Sequence, residues 1–584
     1  MLVNSSKDQN LTVGRWVAAA ALLALLMEGT AQAGSNTNLG DFSNGAAGAF
    51  NTALGYATLQ SNIDGNNNVA AGADALNANT HGSDNTAMGV NALIINTTGF
   101  ENTGIGRAAL RNNSVGYDNT GIGAGALQNS TNGSLNTATG RQALFSNGSG
   151  SFNTADGWYT LLNNIASFNT ATGAQALYSN TIGTQNTAAG VQALQNNIDG
   201  SNNTAAGMAA LFSNTSGSNN TADGFHALEL NAASNNTATG ANALSDNRSG
   251  TNNTATGTNA LLDNVTGSSN TATGMNGLSQ NNANNSTADG FQALQRNTSG
   301  SSNSALGTNA LQNNTTGAYN TAAGAAALGL NTTGNQNTGV GQSTLFHNTS
   351  GAFNTAAGLN ALLSNTMGNG NTAVGLSALR NSTIGNNNIG LGVNAGFNST
   401  SGSNNIEICN KGVAAESNTI RIGSQGIQTK AFLAGIFGNM VTGDAVVVSN
   451  TGQLGIAVSS ARYKRDIRDM GNSSDALMRL RPVTFRYRND PSGQRQYGLV
   501  AEEVTRVYPD LVGQDMDGKV VSVHYHELVP MLLNELQRQA EQVQKQANQI
   551  KRLRAKVAQD QAQRVSFQQR LSALEQKMRV EDAK

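Results

Sequence analysis

The sequence predicts a mainly β protein: a repetitive β-solenoid or β-roll rod, then a small α+β domain and a C-terminal coiled-coil helix. Three observations carry this. A 17-residue unit recurs from Asn51 to about residue 404, and a fixed short period means stacked structural units. The composition changes near residue 458: 22 of the 33 Lys and Arg, 16 of the 34 Asp and Glu and all four prolines lie beyond it. A seven-residue apolar repeat then runs from Val543 to Met578.

The chain is poor in charge, 11%, and in aromatics, 5%, with 68 glycines among 584 residues. An ordinary globular chain carries roughly 25% charge. The net charge of −1 gives no reason to expect a nucleic-acid partner. A single cysteine, Cys409, rules out a disulfide within the chain and reads as a small, partly buried residue.

Residues 1–33 read as a secretory signal peptide. Lys7 and Arg15 form its positive region, residues 16–27 its apolar run, and Ala31-Gln32-Ala33 its cleavage site. The apolar run is too short to span a bilayer comfortably. The mature chain is therefore expected to be secreted or at the cell surface, without a membrane-spanning segment.

Residues 34–403 form the rod. The unit is N-T-A-x-G-x-x-A-L-x-x-N-x-x-G-x-x, and 21 copies start between Asn51 and Asn388, three of them 16 residues long. Its glycine and asparagine content disfavours helix. N-T-A-x-G gives a short strand, and N-x-x-G gives turns. Equivalent positions stack, Thr52 on Val69 on Thr86, and the asparagine column forms an amide ladder. Twenty steps of roughly 4.8 Å make a rod of about 100 Å.

Each coil buries only two alanines and a leucine, little at roughly 25 cal/mol per Å². Stacking many coils compensates. So does packing three chains around one axis, with the column Leu59, Leu76, Leu93 and Leu110 facing the partners; this trimer is the favoured reading. The threonine columns are expected to alternate inward without flat T-x-T rows, which speaks against an ice-binding face. Asp64, Asp118, Asp156 and Asp223 read as solvated, and their spacing is not that of a calcium roll. Gly121, Gly123 and Gly125 belong to the repeat and lack the strand-to-helix setting of a phosphate loop. The tract resembles the heads of trimeric autotransporter adhesins, which carry a related N-[ST]-x-A-x-G pattern at a shorter period. The resemblance is one of architecture, over about 350 residues.

Residues 404–458 read as a β-rich neck, from the alternation in NNIEICNKG and SNTIRIGSQG. Residues 459–530 form the small mixed domain. LRPVTFRYR alternates as a strand, Asp490-Pro491-Ser492-Gly493 is a turn, and QYGLVAEEV is a strand entering a helix. Glu502 and Glu503 read as its solvated start. His524 and His526 alternate about Tyr525 and read as packing or surface; two ligands make a weak metal signal. Residues 531–584 form the coiled coil. Val543, Ile550, Val557, Leu571 and Met578 fall at a positions and Leu553, Phe567 and Leu574 at d, with Asp560 and Arg564 breaking the seam.

The border itself reads AVSSARYKRDI. Serine needs a base to become a nucleophile, and lysine serves once burial or neighbouring cations lower its pKa. Lys464 lies five residues after Ser459, flanked by Arg462 and Arg465. On spacing alone, S-x4-K is equally a polar turn. Four blocks in order, SSARYKRDI, LRPVTFRYR, YGLVAEEV with Pro509 after it, and VHYHELVPMLL, resemble the intramolecular chaperone domain that ends phage tail spikes and endosialidases.

That resemblance implies a domain that trimerises, helps the upstream fibre fold, and cuts itself off before the serine. The scissile bond would be Val458–Ser459, with Ser459 as nucleophile and Lys464 as base, in a peptidase that acts once on its own chain without a cofactor or metal. Ser460 departs from the phage members, which often have aspartate there. The partners implied are two further copies and a cell-surface or polysaccharide ligand. The alternative is a structural or ligand-binding rod, for an adhesin, polysaccharide or ice, whose tail trimerises permanently and never cuts.

Overall fold

The computed structural model describes residues 37–39, 48–434, 436, 442–449, 451–515 and 517–582. The signal-peptide stretch lies outside them. The chain divides into two compact units, Met1–Phe437 and Gly438–Lys584.

In the first unit, 24 three-residue strands make one parallel sheet, from Thr37–Leu39 to Ile420–Ile422. Stacking is in register: Thr52 pairs with Val69, and Val69 with Thr86. Twenty-three steps at roughly 4.8 Å give a ladder about 110 Å long. It reaches past residue 403, because Ile406–Ile408 and Ile420–Ile422 add two further strands. The first part of the neck is thus the end of the rod. The 16-residue coils keep the register, as Thr154 on Thr170 shows, by tightening a turn: Asn164 Nδ2 donates to the Ala166 carbonyl two residues on, where Asn147 reaches Gly150 three residues on.

The leucine column corrects one expectation. Leu59, Leu76, Leu93 and Leu110 are at most 1% exposed within a single chain, so they do not face partner chains. The backbone explains why. Twenty leucines of this column, Leu59 to Leu379, have φ between 48° and 54°. A left-handed conformation costs a non-glycine residue roughly 1–2 kcal/mol. Burying a leucine returns about 1.5–3 kcal/mol. Burial therefore wins, and each leucine turns into its own coil.

Buried amides complete the interior. Asn68 Nδ2 donates to Asn51 Oδ1 (3.1 Å) and to the Gly82 carbonyl (2.9 Å), while Asn51 Oδ1 also accepts the Asn68 backbone N–H (2.9 Å). A second ladder runs parallel: Asn79 Nδ2 donates to Asn62 Oδ1 (2.8 Å), and Asn96 to Asn79 (2.7 Å). The glycine after each strand is required. Gly207 has φ +131°, and a Cβ there would lie 2.4 Å from the Gly224 carbonyl oxygen.

The threonine expectation is also corrected. The middle residue of each strand points inward, so its neighbours point out: Thr137 and Thr139 are exposed around buried Ala138. T-x-T rows do occur, at Thr137, Thr170, Thr237, Thr254 and Thr271, the last three on adjacent strands. Cys409 is exposed rather than partly buried.

The last coils replace the small interior residue with charge. Glu407, 1% exposed, stacks beside Arg421. Arg421 in turn makes a two-pronged pair with Glu416, both contacts 2.7 Å.

Among the described residues the second unit contains three antiparallel hairpins, Val446–Val448 with Leu454–Ile456, Val483–Phe485 with Gln496–Gly498, and Val512–Gln514 with Val520–Val523. A short helix, Ala501–Thr505, and a 57-residue helix, Tyr525–Glu581, complete it. Leu477, Val504, Leu511, Val512, Leu528 and Met531 form its core. Asn534 Nδ2 donates to the Gly471 carbonyl (2.9 Å) and Arg538 pairs with Asp475, tying the long helix to the 471–474 turn. Beyond these contacts the helix is bare. Val543, Ile550, Leu553, Val557, Leu571 and Leu574 are all exposed.

Candidate self-cleavage site

Ser459 and Lys464 are five residues apart, a spacing that brings two side chains together only if the chain turns between them. It does. Ala461–Tyr463 is a single 3-10 turn. Ser460 caps it, its hydroxyl accepting the Arg462 backbone N–H (3.3 Å), and the Lys464 N–H closes it on the Ala461 carbonyl (3.2 Å). Lys464 Nζ then donates to Ser459 Oγ at 3.2 Å. The predicted pair is within hydrogen-bond reach.

Its neighbours are arranged differently from expectation. Arg462 turns toward Ser460 Oγ (3.4 Å) and lies 5.6 Å over the Tyr463 ring. Ser460 is thus engaged as a cap and does not share Lys464. Val458, Ser459 and Lys464 are all exposed on the single chain.

Other polar residues of the domain hold the scaffold. Glu503 is not merely a solvated helix start: Arg481 grips it through two contacts, 3.1 and 2.5 Å, which lower its pKa. Asp490 is lowered too, by the Ser492 hydroxyl and backbone N–H in the turn. His524 and His526 sit at the start of the long helix, each 3.5–3.6 Å from Glu527. Tyr525 has a role that sequence reasoning missed. Its hydroxyl accepts the Leu499 N–H at 2.8 Å, locking the Val483–Gly498 hairpin to the long helix. No periodicity marks it. The one signal is Gly498, where a Cβ would lie 2.5 Å from that hydroxyl.

Residues 459–513 match the family described as chaperone of endosialidase, and the match begins at Ser459 itself. No curated protein and no solved structure matches the chain. A long β-solenoid followed by a segment similar to this family is consistent with a tail-fibre-type protein carrying a chaperone domain. No helix among the described residues is long and apolar enough to cross a membrane.

Proposed function

We propose that the chain is exported and assembles as a trimeric fibre, a surface adhesin or tail-fibre-like appendage, whose C-terminal domain directs folding and then cuts itself off. The observation that carries this is the 3.2 Å hydrogen bond between Lys464 Nζ and Ser459 Oγ at the first residue of the family match. With its amine uncharged, Lys464 takes the hydroxyl proton as Ser459 Oγ attacks the Val458 carbonyl carbon. The C–N bond breaks, the proton passes to the departing Ser459 nitrogen, and an ester remains. Water hydrolyses the ester, freeing the Val458 carboxylate. An exposed lysine must lose its water to work as this base. On this reading, assembly of three copies covers it, so cleavage follows assembly.

The chaperone role has a physical motive. Parallel β pairing between distant residues is slow and exposes sticky edges while it proceeds. A coiled coil forms early and holds three chains at high effective concentration.

Intact mass of the protein without its first 33 residues tests the proposal, beside Ser459→Ala and Lys464→Ala. The expected wild-type fragment begins at Ser459 and is absent from both variants. A wild type that is trimeric and uncut would leave a permanent trimerisation tail and remove the peptidase.

A further inference from the structure

Three coils of the rod share a signature that the others lack. The third strand residue varies among the 21 coils and is aspartate in three: Asp156, Asp223 and Asp289. Each is followed, across one glycine, by an aromatic residue: Trp158, Phe225 and Phe291. Among the remaining 18 coils only Tyr56 is aromatic at that position. The pairs recur at every fourth coil, along an unbroken in-register ladder from Thr154 to Thr287. Four steps of roughly 4.8 Å separate successive pairs by about 19 Å.

All six side chains are exposed, the rings by 47%, 48% and 39%. Two rings are backed by the next residue, Trp158 by Tyr159 with centroids 4.3 Å apart and Phe225 by His226 at 3.9 Å. The coils between them carry only threonine or alanine at the aspartate position, and aliphatic residues or threonine, Val191, Met208 and Met275 among them, at the ring position.

We propose that these Asp-Gly-aromatic pairs are equivalent binding platforms for one extended glycan chain lying along the rod, a deepening that rests on the adhesive-fibre reading. A sugar ring presents a face of C–H groups rimmed by hydroxyls. An aromatic ring covers the C–H face, and a carboxylate accepts from the hydroxyls. Cationic peptide side chains also suit a ring and a carboxylate, but equivalent sites at a fixed spacing match a ligand that itself repeats, as every polysaccharide does and an ordinary peptide does not. Residues 29–458 carry 16 acidic and nine basic side chains, so the glycan is neutral or amino-sugar rather than acidic. Each platform is small. Three engaged on one polymer raise avidity by about 10²–10⁴.

The test is binding of the full-length fibre to immobilised hydroxyethyl cellulose and to chitosan, with hyaluronan as the acidic control. Wild type is expected to bind at least one of the first two and not hyaluronan. Trp158→Ala/Phe225→Ala/Phe291→Ala is expected to bind at least about 100-fold more weakly, with an unchanged melting temperature because the rings are exposed. A second variant deletes residues 187–203, one whole coil. It keeps all six residues and the ladder register but shortens one interval from four coils to three; binding is expected to fall at least about tenfold.

Wild type that binds neither polymer overturns the proposal. So does a triple variant that binds like wild type, or one whose oligomeric state changes, which would make the rings contacts between copies. Selective capture of basic peptides would replace it with the peptide alternative. A fibre that assembles and cuts normally but binds no glycan loses only this inference; one that neither assembles nor cuts loses the fibre reading as well.

Discussion

Ser130 interrupts the second amide ladder, and the interruption is visible atom by atom. Asn113 Oδ1 and Ser130 Oγ are buried without a hydrogen-bond partner, and the same pattern recurs at Asn365 and Ser382. Ser130→Asn supplies an amide that reaches Asn113 Oδ1 and the Gly133 carbonyl, as Asn96 does one coil pair earlier with Asn79 and Gly99. At about 1 kcal/mol per hydrogen bond, we expect a gain of about 1–2 kcal/mol, read as a raised denaturant midpoint. Glu407 carries a pH dependence. Burial raises its pKa, outweighing the Ser399 hydroxyl (2.5 Å) and Arg421, which lower it, while Glu416 raises it further. A carboxyl raised on folding stabilises the fold below its ordinary value of 4.5, and that contribution is lost as pH climbs through the raised value. Amide exchange in the coil at Ile406–Ile408 should therefore quicken as pH rises from 4 to 8, beyond the intrinsic effect of pH. Glu407→Gln, which mimics the protonated form, should abolish the excess.

At the scale of elements, the long helix and the rod differ in what one chain satisfies. The rod buries its own leucines; the helix leaves its seam in water. Ile550→Asp places a charge at the seam and is expected to turn a trimer into monomers at micromolar concentration, measured by light scattering, with cleavage lost in parallel. A variant that stays trimeric would show that the seam does not assemble the fibre. Much of this architecture is legible in the sequence. The period alone sets which residues stack, so Thr52 falls on Val69 and the asparagines form a column. The destination of the leucines is not legible, because a positive φ belongs by residue type to glycine and asparagine; only the folded coil shows that burial outweighs the strain. The sense of the threonine columns is not legible either, because polar and apolar residues alternate equally well in both senses; the small size of Ala138 puts Thr137 and Thr139 outside. At the site, Ser459 and Lys464 are legible as a pair of reactive types. The Ser460-capped turn that joins them has no periodic signal, and neither does the Tyr525 brace.

At the scale of the molecule, the hydrogen bonds that join the coils, backbone and amide alike, run along the rod. Backbone hydrogen bonds pass from each coil to the next, Thr52 N–H to the Asn68 carbonyl and Gly72 N–H to the Leu54 carbonyl, and so lie along the ladder. Tension applied between the rod's ends loads these contacts coil after coil. Detaching one coil lengthens the chain by about 50 Å, the extended span of 17 residues less one step. Single-molecule pulling should give a sawtooth with that spacing; one all-or-none rupture would count against it. A rod built this way would act, under the proposed surface attachment, as a shock absorber: it would lengthen under a tug by shedding coils from an end and shorten in the lull by winding the same strands back.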